Sequence, residues 1–257
     1  MSRWTLFTAT GHFAYDSEAV KKHWPRLHAC DQEPLPQDPA LLQAWTLFHN
    51  GHFEAAHRAG LELGDAGLTV ANRSACVYAT QLESRESERL ALYHETSERA
   101  ATHAEREPHN PNAHYLMAYA LGRYSHGISV ARALAAGMGS RIKTALETTI
   151  ALQPLHADGH FALGAFHAEI IDKVGPLIGV MAYGAKKGVS LQMFRQGFAL
   201  QPRSPMGLME YAMALLVLEG DACHEEATSL CQQAAALTPM DAREYLDIAA
   251  AKSGLTA

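Results

Sequence analysis

Three histidines within twelve residues could begin a zinc site. His156, His160 and His167 lie in the stretch A-L-Q-P-L-H-A-D-G-H-F-A-L-G-A-F-H-A-E, residues 151–169. On a helix these positions share one face, and imidazole is a common zinc ligand. A packed helix in which histidine replaces aromatic side chains would have the same spacing, so the row has two interpretations.

The row offers fewer ligands than zinc normally uses. Structural zinc sites have four protein ligands and catalytic sites usually three, yet no H-E-x-x-H motif and no nearby cysteine supplement the two well-spaced imidazoles. We therefore expect His160 and His167 to be buried packing residues without a shared metal, and we expect no cofactor. His156 lies in a turn, and its role stays open. The alternative is a metal-binding or hydrolytic site that combines the three histidines with Asp158 or Glu169.

An internal repeat explains why histidines stand at these places. Four prolines each follow one apolar-periodic segment and precede another. Aligned on them, the segments share a bulky residue six positions on, a large apolar residue nine on and a small residue ten on, a pattern that resembles the W-x2-L-G-x2-Y half of a tetratricopeptide repeat. The prolines are Pro108, Pro154, Pro202 and Pro239, and the small column holds Ala118, Gly164, Ala212 and Ala249.

In this alignment His160 takes the tryptophan column and His167 the tyrosine column. The four segments, with no strand-like alternation, predict an all-α, tetratricopeptide-like helical repeat array. We expect at least ten helices by extrapolating the repeat, arranged as antiparallel pairs in a superhelix.

The spacing of the prolines reveals two insertions. Successive prolines lie 46, 48 and 37 residues apart, against about 34 for an uninterrupted repeat. The extra residues of the two middle repeats fall at 125–140 and 173–188, and both stretches are apolar and bounded by glycine. Ordinary loops of this length are polar. We therefore predict that the insertions form short helices packed over the array.

The chain divides into an N-terminal extension with a linker at 1–36 and a repeat domain at 37–257. In the extension, 17–24 is predicted as a short helix that ends at Pro25. In the repeat domain, two helix pairs are predicted before the aligned segments. The first comprises 38–51 and 52–64, and the second comprises 69–82 and 85–106.

The order of these pieces carries a family resemblance. From about residue 70 to 250, the motifs A-H-Y-L-M-A-Y-A-L-G-R-Y, T-T-I-A-L-Q-P, H-F-A-L-G-A-F and F-R-Q-G-F-A-L-Q-P alternate with the two insertions. This arrangement resembles the tetratricopeptide-like domain of the regulator of microtubule dynamics family, which is similar in architecture to the T-components of TRAP transporters. The resemblance implies the fold. It does not imply microtubule binding, because acidic tubulin tails favour a basic surface and this chain is acidic.

Composition limits the partners. The chain of 257 residues is 48% hydrophobic, with a formal net charge of −6. It is therefore not expected to be disordered or to bind nucleic acid. No secretory signal is recognised at the start, and no apolar run approaches the roughly 18 residues of a membrane span. The four cysteines form no CxxC pair, so a cytoplasmic protein with reduced thiols is expected.

The resemblance also implies where a ligand would bind. In tetratricopeptide arrays the first helix of each repeat lines a concave groove. The groove-facing positions here are Tyr115, Tyr119, Arg123, Asp158, Phe161, Glu169, Met206, Met209 and Met213. We expect an apolar hollow of aromatics and methionines, which adapt to varied partners, with Arg123 and Glu169 at its rim and the insertions as a lid. Alternatively, the insertions fill this stripe and make it core.

Catalysis has little support in the sequence. There is no G-x-S-x-G, no P-loop and no dinucleotide fingerprint after a strand. The expected function is a non-catalytic binding or scaffold module. Its groove would take a protein or peptide segment, or a small apolar ligand.

Overall fold

The computed structural model describes residues 4–8 and 13–255. Within these ranges the chain forms thirteen α-helices, two short 3₁₀ helices and no β-strand, which confirms the all-α prediction. The helices are α1 (Ser17–Leu27), α2 (Pro39–His49), α3 (Phe53–Glu62), α4 (Leu68–Gln81), α5 (Glu86–Arg106), α6 (Pro111–His126), α7 (Val130–Ala135), α8 (Met138–Leu152), α9 (Ala157–Tyr183), α10 (Lys187–Leu200), α11 (Pro205–Glu219), α12 (His224–Ala235) and α13 (Ala242–Gly254). The 3₁₀ helices are Gly64–Gly67 and Gly220–Cys223.

Pairs of helices stack along the chain as the repeat predicts. α2 packs on α3, α4 on α5, α6 on α8, α9 on α10 and α11 on α12. The two pairs predicted before the aligned segments are α2–α3 and α4–α5, and their ends lie within two residues of the prediction. In the α6–α8 and α9–α10 pairs the second helix begins at the end of an insertion, so each insertion lies between the two helices of one repeat.

The four aligned prolines set the start of four helices. Each helix begins three residues after its proline, and the residue before the helix, its N-cap, accepts a hydrogen bond from a backbone N–H of the first turn. Such caps satisfy N–H groups that have no partner within the helix. The N-caps are Asn110 of α6, His156 of α9, Ser204 of α11 and Asp241 of α13.

The small-residue column allows paired helices to approach closely. A Cβ atom on Gly164 of α9 would lie 2.9 Å from the ring of Phe194 on α10. The Ser190 hydroxyl also donates a hydrogen bond to the Gly164 carbonyl over 2.7 Å. Because both contacts need the space that a side chain would take, the glycine fixes the distance between these helices.

The two insertions differ in structure. The first forms α7, a separate short helix as predicted. In the second, the backbone of α9 leaves the helical conformation at Gly175, whose φ and ψ are 79° and 160°, and residues 176–183 form a short helical segment after this break. Only glycine adopts this conformation readily, and Pro176 after it has no N–H to continue the hydrogen-bond ladder. The second insertion therefore also contains a short helical segment, as predicted, which follows the first part of α9 without an intervening loop.

The N-terminal extension packs against the repeats. α1 continues two residues past Pro25, so the predicted end at that proline was wrong. A proline this close to a helix end removes only one backbone hydrogen bond, while Trp24 anchors the turn. Its ring is buried and its Nε1–H donates to the Glu33 carbonyl over 2.8 Å. The domain boundary at residue 36 stays a prediction.

The last helix, α13, packs near the first helices of the chain. α13 packs on α11 and α12, and it also contacts α2 and α4. The Tyr15 hydroxyl donates to the Met240 carbonyl over 2.6 Å, and Arg26 forms an ion pair with Glu244 at 2.7 Å. The two ends of the array are therefore joined, and its inner side is enclosed.

Candidate functional site

The histidines of the row do not converge. His156 is the N-cap of α9: its Nδ1 accepts from the Gly159 N–H over 2.9 Å, and its Nε2 lies 3.0 Å from the Asn112 side-chain oxygen. This pairing assigns the neutral ring, with the proton on Nε2. Burial lowers the pKa of His156 to about 4.

His160 and His167 are buried, as predicted. His160 places Nε2 3.0 Å from the Pro154 carbonyl, and His114, at the same place of the preceding repeat, places Nε2 3.0 Å from the Pro108 carbonyl. The Nδ1 of His167 accepts from the Lys186 N–H at 3.4 Å, and burial lowers the pKa of His167 to about 4. These two rings thus bind within their own repeats, whereas His156 contacts Asn112 of the preceding one, so the three histidines share no partner.

A cavity of ≈ 190 Å³ lies between α6, α8 and α9, beneath the insertions, and we call it the apolar cavity. Most of its walls are aliphatic and aromatic side chains, and the charged lining residues are Arg123, Glu169, Lys173 and Glu210. The defining residues are Tyr115, Ala118, Tyr119, Gly122, Arg123, Ile128, Val130, Leu134, Met138, Ile142, Leu146, Ala162, Ala165, Phe166, Glu169, Ile170, Tyr183, Met206 and Glu210. Both insertions contribute to it, in the place expected of a lid.

A second cavity of ≈ 120 Å³ lies on the other side of α6, between α4, α11 and α13, and we call it the arginine cavity. It shares Tyr115, Tyr119, Arg123, Met206 and Glu210 with the apolar cavity. Its remaining lining residues are Arg73, Cys76, Val77, Thr80, Gln81, Leu116, Met209, Arg243, Asp247 and Ala250.

Most of the predicted groove residues line these two cavities. Tyr115, Tyr119, Arg123 and Met206 line both, Glu169 lines the apolar cavity and Met209 lines the arginine cavity. Their role in binding a ligand stays a prediction.

Three predicted groove residues lie elsewhere. Phe161 is fully buried, with its ring in the space left by Gly197 of α10 and Gly207 of α11, so it belongs to the helix packing. Met213 is 60% exposed and lies outside both cavities. Asp158 is fully buried beneath the arginine cavity in an ionic network. These three residues thus lie outside the two cavities, and a role in ligand binding stays a prediction for all nine.

The charged end of the apolar cavity consists of two ion pairs. Arg123 pairs with Glu210 of α11 at 2.5 Å, and Glu169 pairs with His126 at 2.8 Å. Electrostatic attraction to Tyr119 and to the Glu210 carboxylate holds the pKa of Arg123 well above its usual value. Arg123 and Glu169 were expected together at one rim, and both are near it, each with a different partner.

A buried ionic network beneath the arginine cavity was not anticipated from the sequence. Arg73 lies 2.8 Å from the Asp31 carboxylate and 3.7 Å from Asp158, which also binds Arg243 at 3.0 Å. Burial alone would raise the pKa of Asp31, but Arg73 and His28 hold it well below its usual range. The available signal was Arg73 itself, the one charged residue between Asp65 and Glu83.

The segment after α1 binds across the first turns of the repeat helices. The Cys30 carbonyl accepts from the Asp158 N–H at 3.0 Å, and the Asn112 amide donates to the Asp31 carbonyl at 3.1 Å. Directly after these contacts, Gln32 has a φ of 52°, which is uncommon outside glycine. Such a conformation persists where the surroundings fix it. The contacts with the first turns of α6 and α9 therefore hold this segment in one conformation.

No group of three or more histidine, cysteine, aspartate or glutamate side chains in residues 4–8 and 13–255 could hold a metal ion. In the same part of the chain, no helix is both long and apolar enough to cross a membrane.

Stacked helix pairs with small residues between them define a tetratricopeptide-like repeat protein. The fold is similar to the crystal structure of a thermophilic tetratricopeptide-repeat protein from Thermus thermophilus, with a TM-score of 0.58. The match covers 83% of this chain and 97% of that chain at 17% sequence identity, and it concerns the fold. The predicted fold class is thus confirmed. No protein-family model and no curated protein matches the sequence.

Proposed function

We propose that the protein is a non-catalytic binding module whose apolar cavity takes the apolar part of a small ligand or of a protein segment. The carrying observation is that this cavity remains between α6, α8 and α9 although other residues, such as Leu121 and Leu163, fill the helix packing. A cavity with apolar walls and a few polar groups at one end is the usual form of a ligand site.

The fold supports a role in binding. Stacked helical repeats present an extended inner surface that commonly recognises other proteins. Here α13 closes part of that surface, and the insertions leave the apolar cavity accessible from one side. Burial of a ligand would contribute about 25 cal/mol per Å² of apolar surface, offset in part by the freedom lost on association.

The test uses the fluorescent apolar probe N-phenyl-1-naphthylamine and a variant that fills the cavity. Gly122 lines the apolar cavity and no heavy atom lies within 4 Å of a Cβ built there, so Gly122→Leu occupies the space without strain. We expect the fluorescence gain of the wild-type protein to be lost in Gly122→Leu. Gly188→Leu is the matched control, because Gly188 is an exposed helical glycine with the same free space outside the cavity.

The exposed apolar side chains after the break at Gly175 could also bind the dye. Leu177 and Met181 are 73% and 79% exposed, so Leu177→Ser is measured in parallel. Unchanged fluorescence in a folded Gly122→Leu protein, with loss in Leu177→Ser, would place the apolar site on the insertion and contradict the proposal.

A further inference from the structure

The arginine cavity brings three guanidinium groups to one small space. Arg73 of α4, Arg123 of α6 and Arg243 of α13 line it, together with the hydroxyl-bearing Tyr115 and Tyr119. The Arg73 and Arg123 guanidinium carbons lie 5.6 Å and 5.2 Å from the centres of the Tyr115 and Tyr119 rings. The cations are therefore stacked on aromatic walls.

These groups keep hydrogen-bond donors that the protein does not use. A guanidinium has five N–H donors. Arg73 is only 3% exposed, yet its Nε has no hydrogen-bond partner within the described ranges. The Tyr115 hydroxyl likewise makes no hydrogen bond to any residue described in the structure. Buried polar groups are normally satisfied, so these donors favour an acceptor from outside the chain.

Carboxyl groups of the protein already pair with the three arginines. Two carboxyl groups line the cavity, and Glu210 is already paired with Arg123. The other, Asp247, accepts from Gln81 at 2.9 Å and lies 3.8 Å from Arg243. Burial raises the pKa of Asp247 to about 7 against the attraction of Arg243. Beneath the cavity, Asp31 pairs with Arg73 at 2.8 Å and Asp158 pairs with Arg243 at 3.0 Å. An incoming acceptor would therefore depend on the unused Nε donor of Arg73 and on the protonation of Asp247.

We infer that the arginine cavity binds a carboxylate whose apolar chain passes Met206 into the apolar cavity. A carboxylate matches the planar fork of arginine and can accept two parallel hydrogen bonds from it. Met206 borders both cavities, and its flexible side chain can move aside for the alkyl chain of the ligand. The inference rests on the proposed function of the apolar cavity, and it gives that site a ligand class.

Two sources provide this chemistry, a free alkyl carboxylate and the C-terminal residue of an apolar peptide. Both present a carboxylate next to an apolar group. Only the peptide also carries backbone amides, which need hydrogen-bond partners when they are buried.

Binding of a carboxylate should depend on the protonation of Asp247. The charged groups that face Asp247 are Arg243 and Asp241 around its own helix, Asp158 of α9, and Arg73, Arg123 and Glu210 across the cavity. A bound carboxylate repels an ionised Asp247, so the complex forms best when Asp247 holds a proton. Affinity should therefore rise as the pH falls from 8 to 6, a range chosen on either side of the pKa of about 7.

The experiment is calorimetric titration of the full chain with octanoate and with octanol. We expect octanoate to bind at pH 6 about tenfold more tightly than octanol, because a hydrogen bond to a charged group contributes at least that much to affinity. Arg243→Gln should remove the difference. Arg106→Gln is the control, because Arg106 pairs with Asp65 at the surface, outside both cavities.

The variant Asp247→Asn distinguishes a change at the carboxylate site from a general loss of folding. This variant should bind octanoate at pH 8 as tightly as the wild-type protein does at pH 6, a gain that misfolding cannot produce. Equal affinity for octanoate and octanol in both proteins would overturn the inference and leave the proposed function standing. Absence of binding by either compound would contradict the proposed function itself.

The source is assigned with a peptide that ends in leucine, as the free acid and as the C-terminal amide. Preference for the free acid over both the amide and octanoate supports a peptide terminus. Tighter binding of octanoate supports a small organic acid.

Discussion

Both nitrogens of the His156 ring are used in hydrogen bonds that join two repeats. Nδ1 accepts from the first turn of α9, and Nε2–H donates to Asn112 in the first turn of α6. Only the neutral ring has one acceptor and one donor, because protonation turns both nitrogens into donors. At the scale of the residue, a histidine here acts as a cap that carries no charge.

This assignment predicts how stability depends on pH. The folded pKa of His156, about 4, lies below the unfolded value of about 6.5. The unfolded chain therefore binds more protons between these values, and stability falls as the pH is lowered through that range. We expect urea denaturation to show a loss from this group of about 2 kcal/mol between pH 7 and pH 5.

His156→Asn keeps an N-cap and removes the titration, so its stability should fall less over the same range. The variant retains part of the loss, since burial lowers the pKa of His167 as well. His109→Asn, on an exposed turn, is the control. Identical pH profiles for wild type and His156→Asn would show that the ring is not held neutral by its contacts.

At the scale of the helix, two glycines of similar sequence context have different roles. Gly164 meets Phe194 and Ser190 of the paired helix, whereas Gly122 faces the apolar cavity with nothing within 4 Å of an added Cβ. Gly164→Leu should therefore force α9 and α10 apart at a cost of about 1–3 kcal/mol. Gly122→Leu should keep the wild-type stability. Thermal unfolding of the two proteins is the measurement, and equal midpoints would show that the helix register is wrong.

The aligned positions of the repeat predict where helices begin better than they predict which side chains line the inner surface. Spacing after each proline predicts the starts of α6, α9, α11 and α13, because capping and small-residue contacts are local in sequence. The direction of Phe161 depends on Gly197 and Gly207, which lie on two other helices. The ionic partners of Arg73 come from 42 residues before it, at Asp31, and from 85 residues after it, at Asp158 (73 − 31 and 158 − 73). No periodic pattern records such contacts.

At the scale of the whole molecule, the enclosed network joins repeats that are distant in sequence. Asp241 is the N-cap of α13 through the Glu244 N–H, and its other oxygen lies 2.7 Å from Nδ1 of His49 in α2. The Nε2 of His49 lies 3.2 Å from Nε2 of His28, whose Nδ1 contacts Asp31. Removal of one member of a buried polar network leaves its partners unsatisfied. The two ends of the chain should therefore lose stability together.

Asp241→Ala tests this coupling by hydrogen exchange. The variant removes the cap of α13 and the partner of His49, so we expect faster amide exchange in α13 and also in α1 and α2, at the opposite end of the chain. Ser204→Ala removes the N-cap of α11, whose hydroxyl binds only the Gly207 N–H of its own helix, and should raise exchange near α11 alone. Asp241→Asn, which keeps a cap and removes the charge, separates capping from the ionic contact. If exchange rises in α13 alone in Asp241→Ala, then the first and last helices open independently.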